Sequence, residues 1–170
     1  MDTRTDATAR RRRRPLAALL AAAMIAFGLA TVAVGAGTAG AAVACPTDGA
    51  TPPAATATVT TATAVLGGTI HLSGANWCHP DGTGSTLAVK IDAGGIKHLE
   101  GQGPHTNVEV WAIVQADGNG TVEADITLPT ATNSTPAFAN GQHTLTLLTG
   151  SIKTGDTRRS VLTNPFTVAD

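Results

Sequence analysis

The chain has 170 residues, of which 42% are hydrophobic, 14% charged and 3% aromatic, with no Tyr. That length holds one domain, or one domain behind a targeting segment, and excludes a large multidomain enzyme. The apolar content is too high for a disordered chain, and a net charge of −1 leaves no surplus of cations to neutralise a nucleic-acid backbone.

The charge is segregated. Six of the 11 basic residues fall in the first 14 positions, at Arg4 and in the run Arg10 to Arg14. From Ala42 onward five basic residues stand against ten acidic ones, so this part carries −5. Such an acidic body argues further against a nucleic-acid partner.

The basic start leads into an uncharged apolar run, Pro15 to Val34, and then into the small-residue stretch GAGTAGAAVA. Basic, apolar and small-residue regions in that order are the layout of a secretory signal peptide. Ala39 and Ala41 supply small side chains at −3 and −1, which predicts residues 1–41 as the leader, with cleavage after Ala44 as second choice. The apolar run could also span a bilayer if retained, so membrane contact is expected only through an uncleaved leader. The Arg pairs leave Sec and twin-arginine export both open. The remainder is expected to be secreted or extracellular, with cell-surface association open.

Residues 42–56 read as a Pro/Ala/Thr-rich linker without periodicity. Cys45 lies in it, and Cys78 lies some thirty residues on. Two cysteines in an exported chain predict one disulfide. It would close a ring of 34 residues, for which chain entropy gives at most about 3.8 kcal/mol. Lipidation of Cys45 is the competing reading, because A-V-A-C resembles a lipobox. Neither a CxxC pair nor a Cys/His cluster is present, so no metal is expected.

Beyond the linker, apolar residues recur with period two between Gly/Pro/Asn/Asp clusters, which predicts short strands. Ala57 to Thr61 is a weak first strand. Gly67-Gly68 turns into Thr69 to Ser73, where Ile70 and Leu72 share a face. A loop with Trp77 and Cys78 precedes Thr86 to Asp92, in which Leu87, Val89 and Ile91 alternate with Ala88, Lys90 and Asp92. Asp92 to Gly95 is a tight turn into a short piece, Ile96 to Leu99.

Asp117-Gly118-Asn119-Gly120 predicts a hairpin turn, since these residues supply positive φ. Pairing Gln115 with Thr121 places Val108, Val110, Ala112 and Val114 opposite Leu128, Ile126, Ala124 and Val122, all apolar. Gly141 to Thr149 and Ser160 to Val168 complete the set, with Pro165 predicting an edge or a bulge in the last strand. The expected fold is all-β: a two-sheet antiparallel sandwich of about seven strands over 57–170.

The run GGTIHLSGANW, Gly67 to Trp77, resembles the opening of bacterial immunoglobulin-like domains. VWAIVQADGNGTVEADITLP, GQHTLTLLTGSIKTGDTRRSV and the final PFTV are similar to such domains in exported, cell-surface proteins of high-GC Gram-positive bacteria. The bias toward Ala, Arg, Gly, Thr and Val suits a GC-rich genome. The resemblance implies an immunoglobulin-like fold serving as a stalk, spacer or adhesive module. A looser likeness runs to chromophore carriers of the neocarzinostatin type, through ATVT, the Gly-rich second strand and the ADGNG turn. It implies a small-ligand carrier as the alternative.

Catalytic chemistry finds little support. A GxSxG elbow, an SxxK motif and a phosphate loop are all missing. His71, His79, His98, His105 and His143 show no ligand spacing. Glu123 and Asp125 read as a solvent face rather than as a glycosidase dyad. No catalytic residue and no cofactor are expected. In the hairpin register, however, Trp111 and Ile113 fall on an outer face beside Glu123 and Asp125. An exposed Trp and Ile need either a cover, such as the loop over 129–140, or a partner. Those four residues are the candidate binding patch. Trp77, next to Cys78, is expected to plug one end of the sandwich. The loop from Gly150 to Arg159 carries Lys153, Arg158 and Arg159 and reads as a solvated hairpin loop, with a local anion or glycan contact as the alternative. The function expected is a non-enzymatic secreted or cell-surface module whose partner is an unknown protein or glycan.

Overall fold

The computed structural model describes residues 44–47 and 50–170. The leader expected over 1–41 lies outside the described residues. All described residues belong to one unit spanning 39–170.

The first sheet joins β1 (Thr56–Val59), β3 (Thr69–Ala75) and β7 (Val122–Thr127), in the order β1-β3-β7. The second joins β4 (Thr86–Ile91), β6 (Ala112–Gln115), β10 (Leu145–Leu148) and β11 (Ser160–Leu162), in the order β11-β10-β4-β6. Both are antiparallel throughout. A third ladder sets β12 (Phe166–Val168) between β2 (Thr63–Ala64) and β9 (Gly141–His143), with β2 parallel to β12. Thr144 alone separates β9 from β10, and residues 163–165 separate β11 from β12. Each of these pairs is one run of chain that serves two ladders. The two antiparallel sheets themselves hold seven strands, three in the first and four in the second. β5 (Lys97–His98) and β8 (Ser134–Thr135) form a separate small ladder.

One core holds the two sheets together. Ile70, Leu72, Val122 and Ile126 from the first sheet meet Leu87, Val89, Leu145 and Leu147 from the second, all buried. Trp77, Phe138 and Phe166 fill the remaining interior and are buried as well. Period-two alternation in β3 and β4 produces this, because every second side chain leaves the pleat on the same side.

The turn at Asp117 forms as its sequence predicts. The Asp117 carboxylate accepts the Asn119 and Thr121 N–H groups at 2.8 Å each, and the Asp117 N–H donates to Thr121 O. The strands on either side do not pair with each other, which corrects the expected hairpin. β6 pairs with β4 and β7 with β3, so the chain arches from one sheet to the other. Val114 and Val122 are both buried, but they face each other through the core. Alternation identifies an apolar face. It does not say whether the apolar neighbour lies alongside in a ladder or about 10 Å away across the sandwich.

Two points of the segment before β1, Cys45 and Ala54, are tied to the sandwich. Cys45 is buried and its N–H donates to Gly118 O at 3.1 Å. The Asn76 side chain holds Ala54 O at 3.0 Å. Pro165 sits in the break between β11 and β12, consistent with a proline that cannot donate to a ladder.

Candidate functional site

Cys45 and Cys78 form the disulfide, with Cα atoms 5.3 Å apart. This pairing removes the lipidated form of Cys45. The bond closes one end of the sandwich together with Trp77 and the Asp117 turn. Trp77 donates its main-chain N–H to Gly120 O at 2.9 Å and its indole N–H to Thr56 O at 2.7 Å. Gly120 has φ +74, and a Cβ there would lie 2.8 Å from Cys78 Sγ. Gly74 is required for a similar reason: a Cβ would stand 2.6 Å from Thr56 O and 2.9 Å from the indole nitrogen. The spacing of Gly74 and Trp77 therefore makes room for one hydrogen bond that ties β1 to the loop after β3. A disulfide of this kind persists in an oxidising compartment.

The four residues expected to form a patch are distributed differently. Trp111 is buried, not exposed. Its N–H donates to Val89 O although Val89 pairs with Ala112, so Trp111 and Ala112 share one partner in a bulge. The bulge turns the indole toward β7, where Nε1 donates to Thr127 O at 2.8 Å. The His98 ring stacks on the indole with centroids 3.8 Å apart and planes 3° from parallel. Its Nε2 lies 3.0 Å from Trp111 O, and since a carbonyl only accepts, Nε2 carries the proton. His98 from β5 therefore covers the indole, and the loop over 129–140 supports it through β8, which sets Ser134 opposite His98. Ile113 remains 37% exposed. Trp111, Ile113 and Asp125 line a shallow groove of about 600 Å³ along the open side between β6 and β7, and Glu123 lies outside it.

Glu123 and Asp125 belong instead to a polar cluster on the outer face of the first sheet. The register sets His71 opposite Asp125 and Ser73 opposite Glu123. His71 Nδ1 lies 2.8 Å from Asp125 Oδ1, and Nε2 lies 2.8 Å from Glu123 Oε2. Ser73 Oγ donates to Glu123 Oε1 at 2.8 Å. Hydrogen bonds to Asp125 and then to Glu123 hold the His71 pKa above its ordinary 6.5. The Ser73 hydroxyl, and after it His71, hold the Glu123 carboxyl below its ordinary 4.5. An imidazole with both ring nitrogens against carboxylates is a cross-strand tie between β3 and β7.

The other imidazoles are engaged too. His143 Nδ1 lies 2.7 Å from Asp92 Oδ2. His79 is buried, with Asp81 at 2.8 Å and Thr154 O at 3.1 Å. His105 Nδ1 accepts the Asn107 N–H at 3.0 Å. The Thr83 hydroxyl, with lesser help from Lys153 and His79, holds Asp81 far below the usual carboxylate range. Ser85 is fully buried and donates to Asp156 Oδ1 at 3.1 Å. Among the described residues no group of three His, Cys, Asp or Glu side chains is placed to hold a metal ion.

The His71 cluster left a signal in the sequence. His71 and Ser73 alternate outward on one strand, as Glu123 and Asp125 do on another. Only the pairing of β3 with β7 was missing. The burial of Trp111 left none, because it depends on a bulge and on a ring thirteen residues earlier. Compared with protein-family models and with curated protein sequences, the chain matches none.

Proposed function

We propose that this chain is an exported, non-enzymatic immunoglobulin-like module that binds, adheres or spaces at a cell surface. The observation that supports this best is the state of its reactive side chains. The imidazoles of His71, His79 and His143 are taken up in contacts with carboxylates, and Ser85 is buried on Asp156. A general base needs a free nitrogen near a substrate, whereas these groups link one strand or loop to another.

The Cys45–Cys78 bond supports the extracellular part of the reading. The basic leader and the resemblance to cell-surface domains point the same way. The filled interior, with Trp77, Phe138 and Phe166 all buried, speaks against a ligand carried between the sheets.

Cross-linking of the exported protein on intact cells of the producing organism tests the proposal. Recovery of one surface protein or glycan, competed by unlabelled protein, is the expected result. Exclusive recovery in the medium with no competed adduct would overturn it.

A further inference from the structure

The domain carries −5 from Ala42 onward, yet its cations are not spread evenly. Three of the five, Lys90, Arg158 and Arg159, line a single groove of about 500 Å³ on the outer side of the second sheet. No carboxylate lines it. Its walls are the loop after β5, with His105 and Asn107, and the loop between β10 and β11. Ala88, Val110 and Leu148 contribute an apolar floor.

The cations differ in how far they are neutralised. Lys90 Nζ sits 2.6 Å from Glu109 Oε2, and Lys97 approaches the same carboxylate at 3.5 Å. Two lysines on one glutamate leave that group positive. Arg159 donates to Cys78 O at 2.8 Å and to Asn76 O at 3.4 Å, so carbonyls hold it, and among the described residues no carboxylate pairs with it. Arg158 is exposed, and among the described residues its side chain has no ion pair or hydrogen bond.

The Arg158 backbone is nevertheless fixed. Thr149 clamps the neck of its loop: the hydroxyl donates to Thr157 O and accepts the Arg159 N–H, and the Thr149 N–H donates to Arg159 O. Gly150, at φ +83, lets the Arg158 stem pass. A Cβ there would fall 2.7 Å from Arg158 Cγ. An arginine held by its stem, in a groove that Ala88, Val110 and Leu148 also line, offers a planar fork that matches a carboxylate bidentately. Organic ligands fill cavities of this size, with a few polar groups fixing their orientation.

We propose that this groove binds a small organic carboxylate, with Arg158 gripping the carboxylate and the Ala88–Val110–Leu148 floor taking the ligand's apolar side. The proposal rests on reading the domain as a binding module and names the ligand class of one site. An acidic peptide and a sugar acid share this chemistry.

The test is a titration of the ¹⁵N-labelled exported protein with N-acetyl-Glu-Glu-amide and with a galacturonate trimer. The Gln-Gln peptide, a galactose trimer and inorganic phosphate serve as comparators. Saturable shifts at residues 88–90 and 149–160 with at least one acidic probe are expected, and the tighter probe identifies the source. Arg158→Gln should weaken that binding at least tenfold. Lys153→Gln removes the same charge from the same loop, but Lys153 faces Asp81 at 3.1 Å, so it should change binding less than twofold. Equal losses in the two variants, phosphate binding as tight as the acidic probe, or no saturable shift with either acid would overturn the groove. Competed cell binding that survives Arg158→Gln would refute the site while leaving the module reading intact.

Discussion

Trp111 separates a structural from a surface role most sharply. An indole removes about 200 Å² from water, worth about 5 kcal/mol at 25 cal/mol per Å². Measured Trp-to-Ala losses in cores run about 3–5 kcal/mol. Trp111 is buried, stacks on His98 and donates to Thr127 O, so Trp111→Ala should cost about 4 kcal/mol. That is a large share of the about 5–15 kcal/mol typical of a domain. Trp111→Phe keeps a six-membered ring against His98 but loses the pyrrole ring and the donor to Thr127 O, for about 2 kcal/mol. Urea unfolding reads both, followed by the emission of the remaining Trp77. The expected order of midpoints is wild type, then Phe, then Ala well below. An Ala variant within about 1 kcal/mol of wild type would mean that the indole is not part of the core, and the account of the β6 bulge would fail.

Three further predictions concern stability. Replacing Cys45 and Cys78 together by Ala should lower stability by up to about 3.8 kcal/mol, from the 34-residue ring the bond closes; an unchanged urea midpoint would contradict it. Gly74→Ala drives a Cβ to 2.6 Å from Thr56 O and should cost about 1–3 kcal/mol by displacing the indole bond, visible as a lower Tm and an altered Trp77 spectrum. The His71 tie should be pH-dependent. With its pKa raised above 6.5, His71 contributes fully below that value and less as pH rises through the folded pKa. With its pKa lowered from 4.5, Glu123 contributes above that value and less as pH falls through the folded pKa. The cluster is therefore strongest between about pH 4.5 and 6.5. His71→Gln should flatten the alkaline decline, and an NMR titration of His71 with a midpoint below 6.5 would refute the arrangement.

Much of the fold is legible in local pattern. Ile70 and Leu72, or Leu87, Val89 and Ile91, need only period-two alternation to declare a buried face. The Asp117 turn needs only its Asp and Gly residues. What pattern leaves open is the partner of each face. Val114 and Val122 read equally well as ladder neighbours and as opposite walls of a core. That ambiguity dissolved the expected hairpin and reshaped the expected patch: Trp111 is buried, though it still lines one groove with Ile113 and Asp125, while Glu123 and Asp125 meet His71. The disulfide was legible because two cysteines admit one internal pairing. β2 and β8 were not, since two residues of strand carry no period.

The most direct measurement of the central claim is a binding isotherm of the fluorescently labelled protein, with its disulfide formed, on intact cells of the producing organism. Saturable binding, competed by unlabelled protein and lost when the Cys45–Cys78 bond is reduced under unfolding conditions, is the predicted result. Binding that rises linearly without saturation, or that persists unchanged for the unfolded chain, would contradict a folded module with a specific surface partner.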